Sequence, residues 1–449
     1  IRESGLKVLF QPASRVIHHE GQSHGTDVAS GVKAHQSVNQ RKFFERWKHT
    51  LEGENFPPGQ KIWLARDRSG RRKTILVVDH AIPQPDRDAG SRSTFSIINT
   101  LLVMGMSVKF WPHDLVYNAH YAAGLEQRGV EIIHGAHHTN ALGAWLWSWR
   151  DDLDYILFNR PLVTAELIPS VLANSRAKRL YYGHDLHYER EAASARLSGD
   201  TEKLAWTKEL RALETGLWTM MDAVYYPSHT ETETVLKTVP TATARTLPLY
   251  ALEPIPAQPL LGRARNDILF VAGFAHAPNV DGAEWFVREV FSHVLQAIPS
   301  ARLILAGSNP SAAVRSLASS HIQVTGYLSD AALETHYRNA GVAVVPLRYG
   351  AGVKGKVVEA LHHGLPLITT PVGAQGLREL EVSALVCDTA QAMAQAVIQV
   401  MTDDASWHRL ATAGPAYTAR FFSSDAMRRV LEQDIDARPY SNLHRIASA

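Results

Sequence analysis

The sequence predicts an α/β protein: two Rossmann-like domains facing a cleft, with an N-terminal extension and a C-terminal helix, which in this architecture commonly crosses back. Three observations carry this expectation. Short apolar runs, at 75–78, 107–111, 130–134, 155–159 and 180–182 and again at 268–272, 302–306, 322–325, 341–346 and 367–370, alternate with helical stretches. That alternation is the mark of parallel sheets wound by crossover helices. Glycine-bearing turns follow several of these strands, as in the first unit of a dinucleotide-type fold. A stretch rich in Pro, Leu and Ala at 248–265 splits the alternation into two sets and reads as a connector.

The elements divide as residues 1–73 (extension and linker), 74–250 (first domain), 264–415 (second domain) and 416–449 (terminal helix). The paired prolines, glycines and basic run of 52–73 read as linker. In the first domain, strand 75–78 leads through Asp79, His80 and a loop to Gly90 and Arg92, then to a helix with Phe95, Ile97, Ile98, Leu101 and Leu102. Strand 180–182 ends on Gly183, His184 and Asp185. Ligands of open α/β sheets sit beyond strand C-termini, so Gly90, Arg160 and His184 should share one cleft. Ser228 and Glu231 read as a helix cap. Trp145, Trp147 and Trp149 alternate at strand-like or surface-loop spacing, as core or as a stacking surface for carbohydrate.

Composition narrows the function classes. With 45% hydrophobic and 20% charged residues in 449, the chain reads as an ordinary globular protein of about two to three domains. The single cysteine, Cys387, excludes an internal disulfide and fits a reducing, cytoplasmic setting. No apolar run reaches the roughly 18 residues of a membrane span, and no signal peptide opens the sequence. The net charge of +2 conceals an asymmetry: residues 1–75 carry 14 Lys and Arg against 7 Asp and Glu, the remainder 32 against 37. No basic face interleaved with aromatics marks either main domain, so nucleic acid is not an expected partner.

The most informative block is 346–376, PLRYGAGVKGKVVEALHHGLPLITTPVGAQG. A glycine loop carrying Lys354 and Lys356 opens a helix, and Glu359 follows one turn in. Free N–H groups at a helix start attract phosphate oxygens, and two ammonium groups suit a diphosphate. A carboxylate at that distance can accept both hydroxyls of a ribose. The bland reading is a solvated charged loop, but close lysines have a physical reason to cluster if a bound anion relieves their repulsion. Gly273, Phe274, His276 and Asn279 follow the first strand of the second domain and could let backbone approach a ligand, or could simply make a turn. Gly326 and Tyr327 fit a nucleobase contact or a tight turn equally. Asp86, Arg87 and Asp88 could bind an acceptor or solvate their loop.

This block resembles the donor-site signature of the group 1 (GT4) glycosyltransferases, retaining enzymes of GT-B fold. Glu359, Ala360, Gly364, Pro366, Leu367 and Ile368 match the second half of the pattern; Ala351 stands where the first Glu of the signature should be. The run Gly350, Gly352, Val353, Lys354, Lys356 is similar to a sub-pattern in which lysines serve the diphosphate. The resemblance implies a sugar moved from a nucleotide-diphosphate donor to an oligosaccharide or lipid-linked glycan acceptor. It implies no cofactor and no metal, with His184, Lys356 and Glu359 catalytic. Gly90, Arg92, Gly273, Phe274, His276, Asn279, Gly326, Tyr327, Gly352, Val353 and Lys354 would bind the donor with them. The resemblance also implies a bacterial polysaccharide or glycoconjugate pathway, with peripheral attachment to the membrane open. Residues 7–50, with His18, His19, Asn39, Lys42, Phe43 and Trp47, resemble the tail of a GT2 transferase of GT-A fold, which would make the chain part of a two-transferase polypeptide. Rival expectations are an epimerase or phosphorylase on the same scaffold, or a carbohydrate-binding module without turnover.

Overall fold

The computed structural model describes residues 4, 14–17, 34–65, 72–255 and 266–436. Several sequence expectations lie outside them: the strand at 7–11, His18 and His19, residues 66–71 of the linker, 256–265 of the connector, and 437–449. The chain forms two compact units. The smaller comprises residues 1–74, 103–107 and 437–449. Its described part holds the helices Ala34–Glu54 and Ile62–Ala65, the second standing within the expected linker. Phe43 and Phe44 of the first helix are exposed.

The larger unit, residues 75–102 and 108–436, carries both sheets. The first is built of β1 (Thr74–Asp79), β2 (Ser107–Pro112), β3 (Glu131–Ile132), β4 (Tyr155–Asn159), β5 (Lys178–Tyr182), β6 (Ala223–Tyr226) and β7 (Ala244–Thr246). All pair in parallel, in the order β3-β2-β1-β4-β5-β6-β7. The second comprises β8 (Asp267–Val271), β9 (Arg302–Ala306), β10 (Ile322–Gly326), β11 (Val342–Val345), β12 (Leu367–Thr369) and β13 (Ala384–Val386). It too is parallel, in the order β10-β9-β8-β11-β12-β13. Helices cover both faces of such sheets, which is why β1, β2, β4, β6 and β11 are buried at every residue and are largely apolar. This is the two-domain α/β architecture expected of GT-B.

Each sheet reverses direction once, between β1 and β4 and between β8 and β11. Loops leaving adjacent strands there must diverge to opposite faces, which opens a crevice at the strand C-termini. Most candidate residues follow strands at or beside these two reversals, whereas Gly326 and Tyr327 follow the edge strand β10.

Local sequence fixes the helix starts. Asp200, Ser329, Thr389, Asp403 and Ser423 each accept backbone N–H bonds as N-caps. The terminal region differs from the expected boundary at 416. Helix Asp404–Phe421 runs through that position, and the chain crosses only at Phe422. There Leu252 N donates to Phe422 O (2.7 Å), while Asp434 accepts from Arg245 (2.7 and 2.8 Å) and Tyr225 of the first domain. Trp145 and Trp147 lie on the helix Leu142–Ser148 and not on a strand or loop, with Trp149 as its C-cap. Trp145 stacks on Trp149 with centroids 5.5 Å apart, as residues one turn apart do. Among the described residues no helix is long and apolar enough to cross a membrane.

Gly307, just after β9, has φ +147°, and an added Cβ would lie 1.9 Å from Ala272 O. The neighbour is backbone and cannot swing away. Gly307→Ala should therefore destabilise the protein by about 2–4 kcal/mol. Urea unfolding measures this, and an unshifted midpoint would contradict it.

Candidate functional site

The first-domain wall grows from Asp79, the last residue of β1, whose side chain is 1% exposed. Its carboxylate accepts from Arg160 Nε (2.8 Å), Thr94 Oγ1 (2.8 Å) and the backbone N of His80 (2.7 Å). Burial alone would raise its pKa; the His80 hydrogen bond and the Arg160 charge outweigh burial and hold the carboxyl far below its ordinary value. Arg160 follows β4 directly, so the ion pair clamps the sheet at its reversal point.

His184 stands beyond β5 on this wall. Both of its ring nitrogens are sealed from water and neither has a hydrogen-bond partner among the described residues. Burial, then the nearby Arg160 charge, lowers its pKa to about 3, so the ring is neutral at physiological pH. His184 and Arg160 both hold positive φ, +61° and +66°. Non-glycine residues adopt that region at a cost, and such strain concentrates at ligand sites. Gly90 completes the wall: an added Cβ would come 2.8 Å from Arg160 and 3.5 Å from His184 Nδ1. The expected convergence of Gly90, Arg160 and His184 is therefore present in the fold. Asp88, exposed, caps the start of the helix Ala89–Val103, accepting from Ser91 N and Oγ at 2.8 and 2.7 Å.

The second wall rises from β8 and β11. After β11 the chain runs through Gly350 (φ +140°) and Gly352 (φ +72°) to Lys354, the N-cap of the helix Gly355–His362. Val353 packs partly buried against the second-domain core. Lys354 Nζ folds back onto Ala351 O (3.1 Å) and Gly352 O (2.5 Å), tying the glycine loop. Lys356 Nζ donates to Asn279 Oδ1 (2.5 Å) and lies 5.2 Å over the Phe270 ring. Burial drives both pKa values down, Lys354 to about 8 against the pull of Glu231 and Asp185, and Lys356 to about 7 with help from Lys354. For both groups burial outweighs the nearby carboxylates.

Asn279 is positioned by its own Nδ2 bond to Gly273 O (2.7 Å) on the helix Ala277–Trp285. His276, exposed at that helix start, has its pKa lowered by partial burial, then by Lys356 and Lys354. Phe274 does not offer a free backbone group: its N–H donates to Ser308 O (2.9 Å), and its ring is buried against Phe270. Gly326 closes β10 at φ +73°, and Tyr327 beside it is exposed.

Arg92 and Glu359 join the two walls. Arg92 Nη1 donates to Glu359 Oε1, Tyr337 OH donates to Oε2 (3.2 Å), and the guanidinium lies 5.4 Å over the Tyr250 ring. Tyr250 also abuts the helix start, since a Cβ on Gly355 would meet its hydroxyl at 2.2 Å. The sequence suggests Arg92 as a donor-binding residue but gives no sign of this ion pair, or of the anchoring parts of Asp79, Tyr250 and Tyr337. Only the adjacency of Asp79 to a strand end hinted at the first.

The neutral state of His184 is directly measurable. Its ring 15N shifts should stay those of neutral imidazole from pH 8 to pH 5, and an inflection near the ordinary value of about 6.5 would contradict the burial described here. Because the folded pKa lies below the unfolded one, His184 should subtract stability as pH falls from about 6.5 toward 3, the unfolded chain binding the extra proton.

Comparison with known proteins bears on this geometry. Residues 265–403 match the family model described as "Glycosyl transferases group 1". No curated protein matches the sequence. Among solved structures, the chain is similar to sucrose-phosphate synthase from Thermosynechococcus elongatus, with TM-score 0.58, 19% identity, and coverage of 81% of this chain and 98% of that one. It is similar to HepE of Anabaena, solved with UDP and glucose: TM-score 0.58, 14% identity, 81% and 99% coverage. A putative UDP-N-acetylglucosamine 2-epimerase from Listeria monocytogenes also shares the fold, at TM-score 0.51 and 12% identity, with 82% and 98% coverage. The chain thus has the GT-B fold, and residues 265–403, its second domain, match the group 1 glycosyltransferase model.

Proposed function

We propose that the protein transfers a sugar, with retention of configuration, from a nucleotide-diphosphate donor to a carbohydrate acceptor, either an oligosaccharide or a lipid-linked glycan. The observation that carries this reading is the pair of desolvated lysines at the start of the helix Gly355–His362, at the reversal point of the second sheet. A diphosphate between Lys354 and Lys356 would restore their charge and be stabilised as it leaves, because fixed positive groups in a water-poor cleft act strongly on developing negative charge. Glu359 would take the ribose hydroxyls and Gly326 with Tyr327 the base. Gly90, Gly273 and Gly352 leave room for close approach. His184, neutral and unpartnered, would hydrogen-bond the donor sugar. Among the described residues no side chain stands out as a nucleophile, which favours front-side attack with the leaving phosphate as base. A lipid-linked acceptor would bring the protein to a membrane surface.

The epimerase with the same fold supports one rival, an enzyme that isomerises a nucleotide sugar without an acceptor. Acceptor dependence separates them: a transferase releases nucleoside diphosphate much faster when an oligosaccharide acceptor is supplied.

Two measurements test the lysine cradle. Lys356→Ala should lower kcat/KM by about 10²–10³, the usual loss when one electrostatic stabiliser of a leaving charge is removed. Binding of UDP, ADP or GDP at pH 8 should be accompanied by proton uptake, because an anion raises the depressed pKa values of Lys354 (about 8) and Lys356 (about 7). Calorimetry in two buffers of different ionisation heat reads this uptake, and binding without it would place the anion elsewhere.

A further inference from the structure

Position 351 presents only a methyl group to the cleft, yet the wall opposite it carries a buried carboxylate. Glu231 belongs to the capping box of the helix His229–Thr238. Its Oε2 accepts from Ser228 N (3.1 Å) and Ser228 Oγ (2.7 Å). Its Oε1 has no hydrogen-bond partner among the described residues. That second oxygen faces the second domain, 3.8 Å from where a Cβ on Gly352 would stand. The residue is only 6% exposed. It lines a hollow of about 30 Å³ with Ser228, Thr230, Ala351, Gly352 and Gln375. The hollow adjoins the loop tied by Lys354, so a group attached to a diphosphate on that lysine would begin beside it.

We propose that Glu231 is a specificity-determining residue, whose free carboxylate oxygen accepts a hydroxyl of the transferred sugar. This rests on the donor reading above and deepens it. A carboxylate accepts and never donates, and sugar hydroxyls are the donors that a buried, half-used carboxylate lacks. Helix capping alone explains one of its oxygens and leaves the other without a role. At about 30 Å³ the hollow has room for a water-sized group and not for a hexose, so the sugar enters as the domains part.

Replacement by glutamine separates the two roles. Gln serves a capping box as well as Glu does. With its oxygen on Ser228 N–H, however, Glu231→Gln would turn an N–H₂ donor toward the sugar. The test compares affinity for UDP, ADP and GDP with that for UDP-glucose, ADP-glucose and GDP-mannose. It is run at pH 8, where the carboxyl, raised by burial to about 7, is ionised. For the sugar nucleotide the wild type accepts, Glu231→Gln should bind about ten- to a hundredfold more weakly, with nucleoside diphosphate affinity and melting temperature unchanged. A wild-type ratio of sugar nucleotide to nucleotide affinity, or equal weakening of both, overturns the proposal and leaves Glu231 a cap. If the glutamine variant does not fold, Ala351→Leu carries the test by filling the hollow. It should weaken the sugar nucleotide alone, and unchanged affinity for both ligands overturns the proposal. Failure of the wild type to bind any nucleotide or sugar nucleotide would instead sink the donor reading itself, and the proposal with it.

Discussion

The site is organised around positive charge held where water is scarce. Lys354 and Lys356 stand at the mouth of a short helix that has no side-chain cap, so two ammonium groups and the positive end of the helix converge. Among the described residues neither ammonium is ion-paired with a carboxylate, although Glu231 and Asp185 act on Lys354 and Glu359 on Lys356 from further off. Each is content with carbonyl oxygen, Lys354 from its own loop and Lys356 from Asn279. The nearest acidic group along the helix, Glu359, is engaged by Arg92 and Tyr337. Such an arrangement is poor for stability, since burying uncompensated charge is costly. Sites of that kind persist where a ligand is to supply the missing sign.

The opposing wall solves a different problem. Asp79, Arg160 and Thr94 form a closed set in which every charge has a partner. That rigid set fixes the turn after β4 and, through it, the position of His184, which is left with nothing to bond. One wall therefore offers unpaired cations and the other an unpaired neutral ring. Parallel sheets bring them together because the reversal of strand order in each domain opens its crevice toward the other.

Much of this fold was legible in the sequence because strand burial in parallel sheets is written in continuous apolar runs. The runs at 75–78, 155–159 and 302–306 lie within the strands β1, β4 and β9. The helices Pro161–Asn174 and His187–Ser198 were harder to read: the first carries an internal proline, and the second has low mean hydropathy with polar residues on most faces. Trp145, Trp147 and Trp149 misled because alternate spacing imitates a strand over five residues, too few to show a helical period. Of the site, Lys354, Lys356 and Glu359 were visible because loop, charge and helix start are contiguous. The Arg92–Glu359 pair spans 267 positions, and no local pattern encodes it. Glu231 was read as a cap, which it is; only the fold reveals that one of its oxygens is spare.

The bridge between Arg92 and Glu359 gives the empty cleft an internal substitute for its guest. A ribose that came to Glu359 would evict a guanidinium, not solvent, so its net gain would be the difference between two well-made partnerships. Exchange of that kind trades tight retention for rapid release. The departing nucleotide would leave behind a gap that the protein closes with its own side chain.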